Sequence, residues 1–292
     1  SDLELRTVKE RGWISNDYSG LIESSSAITK LGDIERIRWG GETDWLESFW
    51  FPIFEEDTSL YFTLGYGATR RTERNSVIDP AARSATRSIR GQRVMSLFEE
   101  SYSLMPLSNW FPLTSAFISQ YIKDILNHLL EGTGYTFSSD RELGEYFFEK
   151  DGIKVPFPAL SDGYRAYIGW IGDLLYHIYL LWDMSKHGIE GFITDWQGIV
   201  MIDEIDLHLH PSWQMRVLPT LSKALPNVQF IVTSHSPLVA SSLEWMNILV
   251  MKTEDDQAST AERIHHSIHG QDADQVLLSE FFGLESTRAE GK

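Results

Sequence analysis

The chain has no cysteine among its 292 residues, which excludes disulfide bonds and thiol chemistry. No apolar run approaches the roughly 20 residues needed to cross a bilayer, and no secretory signal opens the sequence. We therefore expect a cytoplasmic protein without membrane contact. Basic residues are scarce, since 25 Lys and Arg oppose 42 Asp and Glu and leave a net charge of −17. Such acidity excludes nucleic-acid binding over the whole surface.

The few basic residues are concentrated in one segment. Seven arginines lie between Ala68 and Arg93 against only Glu73 and Asp79, so this segment carries +5 and the remainder −22. These arginines are Arg70, Arg71, Arg74, Arg83, Arg87, Arg90 and Arg93. Two interpretations stay open: the arginines form a solvated face or pair with acidic surface, or they contact nucleic acid or a partner protein.

The most informative stretch runs from Gly198 to Gln214. Four consecutive apolar residues, Ile199 to Ile202, predict a strand buried on both faces, as in parallel sheets. Asp203 and Glu204 follow directly, at the end of the strand where open α/β sheets place their ligands. One carboxylate can hold Mg²⁺ and the other can take a proton from water. The alternative is a strand end whose two acids simply face solvent.

A second segment of interest begins at Leu160-Ser161-Asp162-Gly163. An apolar stripe predicts a helix from Asp162 to about Trp182, with Ser161 as its N-cap. The free N–H groups of the first turn, next to a hydroxyl and a glycine, can bind an anion. An ordinary capped helix explains the same residues.

A third segment is the apolar run Val228 to Val232, which predicts another strand and ends in Thr233-Ser234-His235-Ser236-Pro237. Ser236 and Pro237 suit the start of a helix. If the two strands are neighbours, His235 lies level with the two acids and can reach a phosphate or orient a water. A loop histidine bonded to backbone is the alternative.

Local patterns predict the remaining elements. Strands are expected at Ile34 to Trp39, Ser59 to Leu64 and Asn247 to Lys252, a hairpin at Asp151-Gly152, a helical segment from Phe98 to Leu130, and a helix from Pro211 to Leu225 kinked at Pro219. Gly65 and Gly67 allow the backbone to turn tightly or to approach another group closely. His208 and His210 are two residues apart, but no third ligand has suitable spacing for a metal site.

The three segments follow one another in the order of signature, Walker B and switch histidine. In this they resemble ABC-type ATPase heads of the SMC and RecF-like group, and most of all the bacterial AAA-family ATPases found with phage-defence systems, such as the Septu and OLD groups. The resemblance covers roughly residues 59–285. It implies an α/β fold with a mostly parallel sheet flanked by helices, and a helical, arginine-rich insertion.

The resemblance also divides the chain. Residues 1–75 would complete an N-terminal lobe, residues 76–144 would form the insertion, and residues 145–292 would carry the three motifs. No Gly-x-x-x-x-Gly-Lys-Ser/Thr loop occurs in the sequence. We therefore expect the fold to be incomplete at the N-terminus, as the carboxy-terminal portion of a longer ATPase that is inactive without its Walker A loop.

By this resemblance the cofactors are ATP and Mg²⁺. Asp203 would be the metal ligand, Glu204 would polarise the attacking water and His235 would contact the γ-phosphate. Ser161, Asp162 and Gly163 would bind the ATP of a second subunit, so the resemblance implies a homodimer or higher oligomer. Asp206 and its neighbours would lie at the dimer interface.

Two functions follow from the resemblance. The first is an ATP-hydrolysing subunit that dimerises around ATP and controls a DNA-directed defence or repair complex, with DNA contacted through Arg70–Arg93. The second is an ATP-clamped scaffold, hydrolysing weakly or not at all, that docks and restrains a partner nuclease.

Overall fold

The computed structural model describes residues 25–31, 34–40, 62–70, 89–142, 145–185, 196–252 and 259–287. The strands are β1 Ser25–Leu31, β2 Ile34–Gly40, β3 Thr63–Tyr66, β4 Thr136–Glu142, β5 Glu145–Lys150, β6 Ile153–Pro156, β7 Gly198–Ile202, β8 Val228–Val232, β9 Val250–Lys252 and β10 Thr260–Glu262. The α-helices are α1 Ile89–Val94, α2 Leu107–Trp110, α3 Ala116–Leu129, α4 Asp162–Ser185, α5 Pro211–Gln214, α6 Val217–Ala224, α7 Pro237–Ser241 and α8 Ala273–Leu277.

A parallel sheet of order β3-β7-β8 organises the described part of the chain. Tyr66 pairs with Ile202 and Ile202 with Val232, so all three strands end at the same edge. Val200 and Ile202 are almost fully buried, as expected for a strand covered on both faces. The predicted α/β class and the two apolar strands are confirmed, and β7 and β8 are indeed neighbours.

The first strand of this sheet lies later in the chain than predicted. Residues 59–61 fall outside the described part, whereas Gly65 and Tyr66, expected to follow the strand, form the second half of β3. Gly65 is needed there because a Cβ atom would approach Leu97 Cδ1 to 2.4 Å. Close packing of the segment after α1 against the strand explains this glycine better than a turn does.

Helix α4 is the main packing element. Ile171, Leu174, Leu175, Ile178 and Leu181 are all fully buried, and burying each such side chain contributes about 1.5–3 kcal/mol. The predicted apolar stripe is confirmed. Helix α3 joins the same core through Ile118, Ile122, Leu126 and Leu129, and Ser115 before it accepts the capping hydrogen bond. The helical segment predicted from Phe98 to Leu130 is wrong in its first part, since residues 98–106 form no helix and the rest is divided into α2, a 3₁₀ turn and α3.

A second, antiparallel sheet has the order β4-β5-β6. Lys150 pairs with Ile153 around Asp151-Gly152, which confirms the predicted hairpin. Phe137 and Phe148 from this sheet enter the main core. The boundary predicted between residues 144 and 145 falls between β4 and β5, which pair with each other.

The predicted helix from Pro211 to Leu225 is in fact two helices, α5 and α6. The break comes at Met215 and Arg216, before Pro219. Pro219 is the third residue of α6, in the first turn, where a helix has no internal partner for the N–H that proline lacks. In an uninterrupted helix the carbonyl of Met215 would accept from the N–H that Pro219 lacks, so the proline accounts for a break one turn before it. The predicted interruption is confirmed, but it is a break before Pro219 and not a kink at it.

Smaller elements complete the description. Strands β1 and β2 form a hairpin, and β9 pairs with β10. The strand predicted from Asn247 begins only at Val250, since Trp245–Asn247 is a 3₁₀ helix. Among the described helices, none is long and apolar enough to cross a membrane.

Candidate functional site

Asp203 lies at the point where β7 leaves the parallel sheet. Its N–H donates to the carbonyl of Tyr66, the last residue of β3, at 2.8 Å. Thr233, directly after β8, donates through its hydroxyl to Asp203 Oδ1 at 2.5 Å. The ends of three strands therefore fix the position of this carboxylate.

The Thr233 hydroxyl also accepts a hydrogen bond from the N–H of Glu204 at 2.8 Å. The Thr233 carbonyl accepts from Ile205 N–H at 3.0 Å. One threonine thus binds three successive residues of the segment after β7. Thr233 was not among the predicted site residues. The available signal was its position directly after the apolar run Val228 to Val232, which brings it level with Asp203 once β7 and β8 pair in parallel.

Glu204 has a left-handed backbone conformation, with φ of 48°. A residue other than glycine adopts this conformation at a cost in free energy. Its carbonyl accepts a hydrogen bond from Arg70 Nη2 at 2.7 Å. Arg70 is buried, with only 5% of its surface exposed. Burial lowers the pKa of Arg70, whereas the nearby charges of Asp203, Asp206 and Glu204 act in the opposite direction.

The loop after Glu204 is bonded to the segment after β8. Ser234 donates to the carboxylate of Asp206 at 2.5 Å. Gln214 Nε2 donates to the carbonyl of Asp206 at 3.3 Å, and Gln214 Oε1 accepts from the Ser236 hydroxyl at 2.7 Å. Asp206 is therefore held by groups from two directions.

His235 is exposed and follows Thr233 by two residues, so it lies at the same edge of the sheet as the two acids. The next residue, Ser236, accepts hydrogen bonds from the N–H groups of Leu238 and Val239 and caps α7. The predicted Ser236 cap and Pro237 helix start are confirmed.

The start of α4 forms a second group. Ser161 is exposed, and Gly163 lies against the loop after Glu204, because a Cβ atom there would come within 2.1 Å of the His208 carbonyl oxygen. Ser161, Gly163, His208 and His210 line one open cavity together with Lys150. Asp162 is exposed and forms an ion pair with Arg165.

The predicted site residues thus fall into two groups. Asp203, Glu204 and His235 share the end of the parallel sheet, whereas Ser161, Asp162 and Gly163 lie at the start of α4. The groups are joined by the loop from Ile205 to His210, which contacts both.

A buried carboxylate within α4 was not predicted. Asp173 is 2% exposed and accepts hydrogen bonds from the Tyr66 hydroxyl at 3.0 Å and from Met105 N–H at 2.7 Å. His177 Nε2 lies 3.5 Å from the same carboxylate. Burial, followed by the charge of Asp173, raises the pKa of Tyr66. Asp173 could have been found in the sequence as a charged residue among the apolar residues of the predicted helix.

The donor set suits a magnesium ion better than a zinc ion. Among the residues that the structure describes, no three His, Cys, Asp or Glu side chains cluster as a metal cage would require. Magnesium needs no such cage, since it is held by one or two carboxylates together with phosphate oxygens and waters. Asp203, fixed through Oδ1 by Thr233, fits that requirement.

The arginine-rich segment is only partly described. Arg70 and Arg93 are 5% and 3% exposed, and the guanidinium of Arg93 lies over the ring of Phe62. Burial keeps both away from DNA, so the predicted contact through Arg70–Arg93 is wrong at its two ends. Residues 71–88 and the side chain of Arg90 lie outside the described part.

Residues 69–241 match the protein family described as "AAA domain, putative AbiEii toxin, Type IV TA system". This match covers more than half of the chain, and the chain therefore belongs to that family. The predicted relationship to AAA-family ATPases is confirmed.

Two curated relatives illustrate the family. The chain is 40% identical over 104 residues to "Retron Ec83 probable ATPase" of Escherichia coli, covering 36% of this chain and 18% of that protein. It is 28% identical over 241 residues to "Septu protein PtuA" of Bacillus mycoides (strain KBAB4), covering 82% of this chain and 32% of that protein. The chain thus spans a third or less of the length of these relatives.

A solved structure, from a study of ATP-driven dimerization and DNA stimulated activation of SMC ATPases, aligns with 54% of this chain and 89% of its own chain. Its sequence identity is 17% and its TM-score 0.37. The predicted resemblance to Septu proteins is confirmed by the sequence relatives. The individual roles of the site residues remain predictions.

Proposed function

We propose that this chain supplies the hydrolytic half of an ATP site. One observation carries the proposal: the hydrogen bonds of Thr233 to Asp203 and Glu204 align the ends of β7 and β8. Two acids and His235 are thereby presented together at the edge of a parallel sheet, where such folds bind their ligands. The names of the relatives, which include a probable ATPase, agree with this function.

In the proposed mechanism Glu204 accepts a proton from the water that attacks the γ-phosphate. A positioned general base contributes roughly 10²–10⁴-fold to the rate. Asp203 would hold Mg²⁺, which supplies positive charge to the phosphate oxygens when it is bound. The imidazole of His235 would face the transferred phosphoryl group and stabilise its spread negative charge.

Ser161, Asp162 and Gly163 lie away from these acids in the same chain, and we propose that they act across a dimer. The first turn of α4 offers free N–H groups and the positive end of a 24-residue helix. Both favour an anion such as the γ-phosphate of ATP held by a second subunit. Asp206, in the loop that joins the two groups, would lie at the interface.

The test is Glu204→Gln in the full-length protein. We expect turnover to fall by roughly 10²–10⁴-fold, with ATP binding retained and the dimer favoured. Release of phosphate and size-exclusion chromatography with ATP measure the two effects. Glu280→Gln makes the same chemical change at an exposed position and should leave turnover unchanged. Wild-type turnover in Glu204→Gln would refute the assignment.

We also propose that the full-length protein works with an effector, such as a nuclease, in a phage-defence assembly. The Septu and retron names of the relatives favour this setting. The scaffold alternative assigns the work to that effector and only a clamping role to ATP. Repeating the Glu204→Gln assay with the partner present separates the two, because a pure clamp retains effector control when hydrolysis is lost.

We further propose that DNA is contacted by the arginines that lie between Arg70 and Arg93. The segment is positive in an otherwise strongly acidic chain, and phosphate contacts draw on such clusters. The two buried end residues are excluded from this role, so the contact would rest on Arg71, Arg74, Arg83, Arg87 and Arg90.

A further inference from the structure

We propose that Arg70 and Thr233 are positioning residues that grip the backbone of Glu204 from both sides and so aim its carboxylate. This inference rests on the proposed function, in which Glu204 is the general base. It adds two residues, from segments more than 160 positions apart in the sequence, to the machinery of the site.

The backbone conformation of Glu204 needs to be stabilised by neighbouring groups. Its φ of 48° lies in the left-handed region, where a non-glycine residue is strained by about 1–3 kcal/mol and persists only if its surroundings hold it. Both of its backbone polar groups are held: the N–H by Thr233 Oγ1 at 2.8 Å and the C=O by Arg70 Nη2 at 2.7 Å. The same carbonyl also accepts from Leu207 N–H at 3.0 Å, within its own loop, so Thr233 and Arg70 supply the bonds that tie this backbone to the rest of the fold.

The guanidinium does more than donate a hydrogen bond. It is buried beside a segment that carries Asp203, Glu204 and Asp206, and all three charges favour its charged form. A cation at this place offsets part of the negative charge that these side chains bring to the segment. Arginine suits the position because its fork stays charged and presents several donors in fixed geometry, whereas lysine is a single point charge.

The threonine couples the two acids. Its one hydroxyl donates to Asp203 Oδ1 and accepts from Glu204 N–H. The same oxygen atom therefore fixes the position of the proposed metal ligand relative to the backbone of the proposed base. Serine keeps this oxygen, whereas valine keeps the shape of the side chain and removes it.

The experiment uses the full-length protein with Thr233→Val, Thr233→Ser, Arg70→Lys and Arg70→Gln. Matched controls are Thr136→Val on an exposed strand position and Arg263→Gln, also exposed. Thr233→Val and both Arg70 variants should lower kcat by about tenfold or more, with the Kd for ATP within about threefold, because positioning acts on the reaction step. Thr233→Ser should retain kcat within about threefold of wild type.

A second arm separates positioning from general damage. In a Glu204→Gln background there is no base left to position, so Arg70→Lys, which keeps the positive charge and alters the bond to the Glu204 carbonyl, should lower single-turnover hydrolysis no further. A merely structural role predicts additive losses instead. Thermal melts followed by circular dichroism identify any Arg70 variant that fails to fold. In that event the Thr233 variants still test the proposal, because Thr233 is exposed and its replacement should leave the fold intact.

The outcomes are distinct. Wild-type kcat in Thr233→Val, while Glu204→Gln is inactive, overturns the grip and leaves the proposed function standing. Additive losses in the double variant also overturn it. Wild-type turnover in Glu204→Gln overturns both proposals together.

Discussion

Buried tyrosine hydroxyls show how single side chains tie the long helix to its surroundings. Tyr167 is 4% exposed and donates to the carbonyl of Leu129 at the end of α3. Burial raises the pKa of Tyr167. The folded protein therefore requires this hydroxyl in its protonated form, whereas an unfolded chain ionises it freely near pH 10.0.

We expect the folded state to lose stability as the pH rises above about 10. A raised folded pKa means that the stability is fully present below the unfolded value and declines above it, by about 1.4 kcal/mol per pH unit for one such group. Tyr167→Phe should lower the free energy of unfolding by about 0.5–1.5 kcal/mol near neutrality through the lost hydrogen bond. The stability of this variant should then decline less steeply with pH above 10 than that of the wild type. Urea unfolding on both sides of pH 10 measures this, and equal slopes would contradict it.

The residues of the site that sequence reasoning found are those with distinctive chemistry. Asp203 and Glu204 follow an apolar strand, and His235 follows another, so both patterns could be read directly. The sequence did not point to Thr233 or Arg70. A threonine after a strand is common, and one arginine among seven is expected to lie on the protein surface. Their roles arise only when three distant strands pair and bring them to Glu204.

At the scale of elements, the loop after Glu204 packs closely against the first turn of α4. Gly163 allows it, since a Cβ atom would lie 2.1 Å from the backbone oxygen of His208. Backbone cannot give way as the end of a flexible side chain can, so a larger residue must displace the loop or the helix.

Gly163→Ala should therefore destabilise the protein by about 1–3 kcal/mol, the usual cost of overpacking. Gly172→Ala, in the same helix, is the matched control. Its Cβ atom would be 3.6 Å from Leu107 Cβ, an ordinary contact, and alanine is favoured over glycine within a helix by roughly 0.5–1 kcal/mol. Thermal unfolding of the two variants should move in opposite directions. A Gly163→Ala protein as stable as wild type would show that the contact is dispensable.

Element boundaries were less predictable than element types. Strands β7 and β8 were expected because their apolar runs are flanked by polar residues. The position of the break between α5 and α6 was not expected, because Trp213, Val217 and Leu221 keep a helical spacing across it and the interruption was placed at Pro219 itself. The end of strand β3 was placed too early, because two glycines suit a turn as well as a close approach, and the contact of Gly65 with Leu97 is visible only in the folded chain.

At the scale of the whole molecule, charge is distributed unevenly, with a positive segment in a chain of net charge −17. If the arginines between Arg70 and Arg93 contact DNA, binding must compete with the repulsion between phosphates and acidic surface. Salt screens that repulsion and also displaces the phosphate contacts, and the second effect dominates at such clusters.

We expect the affinity of the full-length protein for duplex DNA to fall steeply with salt. The logarithm of the association constant should fall against the logarithm of the salt concentration with a slope of roughly −0.9 per phosphate contact. Replacing Arg74, Arg83 and Arg87 by glutamine should weaken binding and flatten the slope. Arg263→Gln serves as the control outside the segment. Fluorescence anisotropy over a salt series measures both, and a slope that the triple variant leaves unchanged would argue against contact through this segment.

The order β3-β7-β8 also has a consequence for biosynthesis. The strand that precedes Arg70 leaves the ribosome before the two acids, and Thr233 leaves after them. Pairings between such distant segments are slow to form, and chains fold as they emerge. A nascent polypeptide therefore carries Asp203 and Glu204 for a time without the partner strand that orders them.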